Sequence, residues 1–369
     1  MAETHGRTPG TALAISGGGF RATLFHLGAF WRLNELGYLS KLKVITSVSG
    51  GSIVSGYLGY RWKDLQFNAK GEATNFVGVV VEPLRAFCSN TYDVGAGLLG
   101  VLPGVSGGDV MAHHYDSSLF HGATLQALPD EANAPRFIIY ATSLQTGVSV
   151  RFSKTFLRDY KVGKVTSPTV PLAKAVAASS GFPPVLSPVN IDTGAMKWER
   201  EEGNTHFGDP DFSRRMVLTD GGVYDNMGLE AVWDRYQTVL VSDAGAPFDV
   251  VRSPSWLTQA LRIIAIFGEQ VHSLRTRWLI RDLEERRMDG AYWGIATRIG
   301  EYGLGDALAK DGPASAALAK VRTRLNSFSM KEQCQLINWG YALADAAIRR
   351  YVPALGQAPG EQPCQANVL

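Results

Sequence analysis

TALAISGGGFRATLFHLGAFWRLNELG, residues 11–37, holds two different periodicities joined by three glycines. Residues 11–16 form an apolar run of the length of a buried strand, and from Arg21 to Leu36 apolar residues return at helical intervals until Gly37 stops them. Gly17, Gly18 and Gly19 between them permit backbone angles closed to other residues. The reading is strand, glycine turn, helix. KVITSVSGGSIVSGYL, residues 43–58, repeats it: a β-branched run reaches Ser49-Gly50-Gly51, and another buried helix is under way by Ile53. Further strands are expected at residues 136–141, 148–152, 216–219 and 239–242. Strands alternating with helices predict an α/β layered sheet.

A chain of 369 residues with 45% apolar content can bury a substantial core. A net charge of +2, with both signs spread along the sequence, gives no footprint of a nucleic-acid binder, so no nucleic-acid partner is expected. Cys88, Cys334 and Cys364 are far apart and odd in number, which argues against a disulfide framework or a zinc site and for a reducing compartment. Residues 1–10 are polar and lack the apolar stretch of a secretory signal. The greasiest segments, 76–81 and 94–105, are too short or too rich in glycine to span a bilayer, so membrane contact is expected to be peripheral.

Residues 90–108 are apolar and glycine-rich without periodicity, and read as a loop that either covers the core or acts as a lid or membrane-facing element. Across residues 256–287, Leu257, Leu261, Ile264, Phe267, Val271, Leu274 and Trp278 recur at three- and four-residue steps, with arginines concentrated late. This predicts one long amphipathic helix or two abutting ones, packed on the sheet, with a position on an anionic membrane surface as the second reading. Another helix is expected over 331–351, and 354–369 reads as a flexible tail.

Residues 17–22 formally match G-x-G-x-x-A, the dinucleotide-binding turn, which would place a ribose-holding acid at the end of the second strand. The candidate acid, Glu35, lies inside the first helix instead. What three glycines at a helix N-terminus do offer is backbone N–H groups for a negative charge. Ser49 sits where G-x-S-x-G places a nucleophile on a sharp strand-to-helix turn, with Ser47 at the first glycine position. If the turn requires positive φ there, Ser47 is strained; taken alone, the stretch reads as a tight packing turn. An ester-cleaving serine needs a base, and none of His5, His26, His113, His114, His121, His206 and His272 has the context of a triad histidine. His26 reads as a packing residue of the first helix. Carboxylates fit better: Asp220-Gly221-Gly222 ends one strand, and Asp243 ends another as its competitor.

Taken together, these blocks resemble the patatin-like phospholipases: the turn Gly17-Gly18-Gly19-Phe20-Arg21, the elbow at Ser49, and Asp220-Gly221-Gly222, in family order. Phe25-His26-Leu27-Gly28, Ala178-Ser179-Ser180, and Phe182-Pro183-Pro184-Val185 extend the likeness, which runs from about residue 11 to 245. The family pattern carries glycine where this chain has Ser47. The resemblance implies a three-layer α/β/α fold with a central, mostly parallel sheet and C-terminal helices. It implies one domain over 11–353, with a catalytic core at 11–245 and a helical part at 254–353. It further implies a lipid acyl hydrolase of phospholipase A or lysophospholipase type, without cofactor or metal, acting on phospholipid or lysophospholipid at a transiently bound membrane from a cytoplasmic location. Ser49 would be the nucleophile, Asp220 the base, Gly17, Gly18, Gly19 and Gly50 the oxyanion hole, and Arg21 a substrate-phosphate ligand or a brace for the glycine turn. A non-catalytic lipid- or nucleotide-binding regulator on the same fold, and a hydrolase held inactive until a ligand or partner triggers it, are the alternatives.

Overall fold

The computed structural model describes residues 6–92, 106–245, 247–248, 250 and 259–367. Its spine is five parallel strands in the order β11–β10–β1–β2–β3, where β1 is Thr8–Ile15, β2 Val44–Val48, β3 Arg136–Ser143, β10 Tyr236–Asp243 and β11 Asp289–Gly294. Beyond β3 the sheet turns antiparallel through β4 (Ser149–Phe152), β5 (Phe156–Asp159), β6 (Gly163–Thr166) and β8 (Trp198–Glu199). β9 (Arg215–Asp220) also pairs antiparallel with β3, and β7 (Val189–Asp192) pairs with β9. The α/β reading of the sequence is borne out, with a mixed sheet that is parallel in its centre.

Alternation along the central strands divides the core in two. Leu13, Ile15, Ile45, Ile139 and Leu240 face the larger cluster, while Ala12, Ala14, Val44, Val48, Val239 and Val241 face the smaller one. The larger cluster lies under α1 (Gly19–Glu35), α2 (Gly50–Arg61), α3 (Glu82–Cys88), α4 (Gly107–Tyr115), α5 (Leu172–Ser180) and α7 (Met330–Tyr351). α7 opens with a capping box, in which Ser329 accepts from the Glu332 N–H and the Glu332 carboxylate accepts from Ser329. It crosses α1 where both helices carry glycine: a Cβ on Gly28 would lie 2.0 Å from the Ile337 carbonyl oxygen, and one on Gly340 1.9 Å from that of Phe25.

The other face is covered by residues 227–233 and the end of α6 (Gln259–Glu284), through Met227, Leu229, Val232 and Leu279. The helix expected over 256–287 therefore exists, but it departs from the expected packing. Leu279 is fully buried, whereas Ile264, Phe267 and Trp278 are each more than half exposed.

The end of the chain also differs from a flexible tail. The Asn338 side chain donates to the Cys364 and Asn367 carbonyls, Arg32 donates to the Ala358 carbonyl, and Gln362 is buried. Polar composition misled the reading because these partners lie on α1 and α7, out of reach of any local pattern. Most of the 90–108 loop, residues 93–105, lies outside the described residues; its last two residues begin α4, capped by Ser106 accepting from the Asp109 N–H at 3.0 Å.

Candidate active site

β2 and β9 meet end to end along one edge of β3. Val48 pairs with Tyr140 and Asp220 with the next residue, Ala141, while β4 occupies the other edge over residues 139–142. The two strands run in opposite directions, so both carboxyl ends point into the same gap. Ser49 stands at one lip and Asp220 at the other, 7% and 4% exposed.

Ser49 has φ 52° and ψ −121° as the N-cap of α2. Positive φ in a non-glycine residue is strained, and strain of this kind is held only where the surroundings over-determine it. Here a chain of buried hydroxyls does so. The Ser49 N–H donates to Ser179 Oγ at 2.9 Å, Ser179 and Ser52 share a hydrogen bond at 2.8 Å, and Ser52 and Ser55 both donate to Ser47 Oγ, at 3.0 and 2.7 Å. Ser47 itself belongs to β2 and is not among the positive-φ residues. The strain suspected at Ser47 sits two residues later, and Ser47 serves as the acceptor at the end of the network.

The Ser49 hydroxyl faces the Asp220 carboxyl across this gap and favours its ionised form. Burial pushes the Asp220 carboxyl up to about 6, against the opposing pull of the Gly222 N–H, 2.7 Å from Oδ1, and of Ser49. The strand end is pinned by its backbone: the Asp220 N–H donates to the Gly181 carbonyl at 3.0 Å, and the Gly221 N–H to that of Ser179, also at 3.0 Å. Ser179 therefore contacts both lips.

The glycine turn lies against the elbow. Gly18 and Gly19 have φ of 138° and 56°, conformations that favour glycine. A Cβ on Gly17 would fall 2.9 Å from that of Ser49, and one on Gly50 only 2.0 Å from the Gly19 carbonyl oxygen. Of the four expected oxyanion donors, Gly17 drops out: its N–H donates to the Asn226 carbonyl at 3.0 Å. The N–H groups of Gly18, Gly19 and Gly50 have no hydrogen-bond acceptor among the described residues. Asn226 had no signal of its own in the sequence, four residues beyond Gly222.

Arg21 corrects one expectation. It is 1% exposed and donates to the carbonyls of Ala319 (3.0 Å), Val321 (2.9 Å) and Ala244 (2.6 Å). Burial lowers its pKa to about 10, partly offset by Asp243, which leaves it charged at neutral pH. Spent on three carbonyls inside the protein, it braces the glycine turn against distant loops and does not reach a lipid phosphate.

Asp243 is engaged elsewhere: its Oδ2 lies 3.0 Å from His272 Nε2 and accepts from Tyr292 at 2.9 Å, and its Oδ1 accepts from the Gly245 N–H. Although burial opposes it, the pairing with His272 drives the Asp243 carboxyl well below the usual range, and Asp243 in turn raises His272 to about 9. This ion pair escaped the sequence because its members lie on a strand end and on α6. His26 is a packing residue as expected, buried and lowered to about 4, with Nε2 donating to the Ser16 carbonyl and Nδ1 accepting from Ser242. Adjacent His113 and His114 lie on α4, and the described residues contain no cluster of three potential metal ligands.

The sequence model of one family, described as patatin-like phospholipase, matches residues 13–233. No curated protein sequence matches the chain. Among solved structures, human GIVD cytosolic phospholipase A2 superposes with a TM-score of 0.51 at 12% identity, over 92% of this chain and 58% of that one. Its complex with methyl gamma-linolenyl fluorophosphonate gives 0.50 at 13% identity, over 92% and 57%. VipD from Legionella pneumophila aligns over 92% of this chain and 66% of its own at 14% identity, with a TM-score of 0.36. The chain thus shares a fold with the human enzyme while spanning under three-fifths of its length. With the family match covering more than half of the sequence, the chain belongs to the patatin-like phospholipase family.

Proposed function

We propose that this protein hydrolyses carboxylic esters of membrane phospholipids or lysophospholipids through a Ser49–Asp220 dyad and an acyl-enzyme. The observation that carries the reading is a strained elbow serine set beside a buried carboxyl whose pKa is pushed up to about 6. A carboxylate at its ordinary value near 3.9 is a weak base for a hydroxyl, and one near 6 is better matched to neutral pH.

Ser49 Oγ attacks the ester carbonyl carbon as its proton passes to Asp220. The carbonyl oxygen becomes an oxyanion, received by the N–H groups of Gly18, Gly19 and Gly50, two of them at the N-termini of α1 and α2. Collapse breaks the bond to the alcohol oxygen, which takes the proton from Asp220 and leaves as the lysophospholipid or the glycerophosphodiester. Water then loses a proton to Asp220 and attacks the acyl-enzyme. The fatty acid departs, and Ser49 recovers its proton from Asp220. Arg21 acts only by holding the turn that presents two of these N–H groups.

Hydrolysis of phospholipid vesicles and of a short-chain ester by the wild type, Ser49→Ala and Asp220→Asn tests this. Loss of both activities in both variants supports the dyad; equal activity in all three contradicts it. Activity lost in Asp243→Asn but retained in Asp220→Asn would move the base to the other strand end.

A further inference from the structure

α6 is attached by the wrong side for a helix of a water-soluble domain. Several of its polar residues face the protein: His272 pairs with Asp243, Arg275 with Asp225 at 3.1 Å, the Thr276 hydroxyl lies 3.7 Å from the Met227 sulfur, and Asp282 accepts from the Trp233 indole. Leu279 packs on the sheet, but a stripe of other apolar residues faces out. Ile264, Phe267, Val271, Leu274 and Trp278 are 55, 66, 38, 41 and 55% exposed. At 3.6 residues per turn they fall within an arc of roughly 80°, a stripe about 21 Å long. A contiguous apolar stripe of this size on a protein surface marks an interaction site.

We propose that this stripe docks the protein on an anionic lipid bilayer, with α6 lying in the plane of the interface. The choice of a bilayer rests on the acyl-hydrolase reading above and on two local features. First, the anchors tie α6 to the candidate site: Asp225 belongs to the turn that follows Asp220, and Asp243 ends the strand beside the glycine turn. Val223, on the short segment that α6 packs against, and Phe182, next to the Gly181 carbonyl that pins Asp220, are 46 and 68% exposed, so apolar residues also stand open close to the dyad. Second, Arg277 and Arg281 border the stripe on its solvent side, and Arg277 has no acidic partner among the described residues. A helix with apolar residues inserted and arginines at headgroup level has the character of an interfacial helix.

Sedimentation of the full-length protein with vesicles of phosphatidylcholine, alone or mixed with phosphatidylglycerol, tests the surface. The wild type is expected to bind the mixed vesicles with a blue shift of tryptophan emission. Phe267→Ser should weaken binding about fivefold and Phe267→Glu/Val271→Glu more than tenfold, from lost apolar burial. Hydrolysis of a water-soluble short-chain ester should be unchanged in both variants. Equal vesicle binding by wild type and variants overturns the proposal. So does a wild-type dimer that the substitutions dissociate without affecting vesicle binding, since the stripe would then meet a second copy. Absence of short-chain ester hydrolysis in the wild type would instead count against the hydrolase reading, leaving the vesicle result to judge the surface.

Discussion

Val48 and Asp220 occupy consecutive rungs on one edge of β3, opposite Tyr140 and Ala141, although 171 residues separate Asp220 from the serine that follows Val48. Because β2 and β9 run towards each other, the residue that ends one strand and the residue that follows the other share a gap. A dyad needs no long side chain to bridge such a gap.

The pH dependence follows from the buried carboxyl. Its raised pKa means that Asp220 is protonated, and useless as a base, below about pH 6. kcat/KM for a soluble ester is expected to rise roughly tenfold per pH unit below that point and level off above it. A profile with its acid limb near 4 would mean that burial does not tune this group.

The same carboxyl should cost stability. A folded-state pKa above the unfolded value means that the folded protein binds more protons between about 4 and 6, so stability falls as pH rises through that window. Asp220→Asn removes the cost of ionising a buried group, on the order of 2–3 kcal/mol at pH 8, and none of it at pH 3.5. Thermal unfolding at the two pH values should show a higher Tm for the variant only at the alkaline one, together with a loss of activity of about a thousandfold or more.

Ser47→Gly restores the letter usual in the family and is nevertheless expected to destabilise. The backbone at 47 is an ordinary strand, so glycine relieves no strain there, while the hydroxyls of Ser52 and Ser55 lose their buried acceptor. Leaving such groups unpaired costs about 1–3 kcal/mol, which denaturant titration can read directly. A stabilised Ser47→Gly protein would show that the network does not hold the elbow.

Arg21→Gln separates a brace from a substrate ligand. With its three carbonyls released, the glycine turn loosens whatever the substrate, so kcat/KM should fall by a similar factor for phospholipid and for a phosphate-free ester. A loss confined to phospholipid would return Arg21 to the role of headgroup ligand.

Features legible in the sequence were those that a few neighbouring residues dictate. Strand, glycine turn and helix at 11–37, the elbow at Ser49 and the strand end at Asp220 each leave a local mark, because tight turns restrict residue type. The partners of those features did not. Ser179 reaches the Ser49 N–H from another helix, Arg21 reaches carbonyls some three hundred residues away, and Asp243 finds His272 across the sheet. Periodicity found α6 and its apolar stripe, but burial of that stripe was an assumption; ion pairs and one buried leucine hold the helix by another side. β11 went unread because Asp289–Gly294 carries glycine at its second and last positions and has no β-branched residue.

The most direct test of the dyad is covalent labelling with methyl gamma-linolenyl fluorophosphonate, the inhibitor found with the human enzyme, followed by peptide mass spectrometry. A single adduct on Ser49 is expected, absent from Ser49→Ala and formed far more slowly by Asp220→Asn. An adduct on any other serine, or equal labelling of Asp220→Asn, would contradict the dyad.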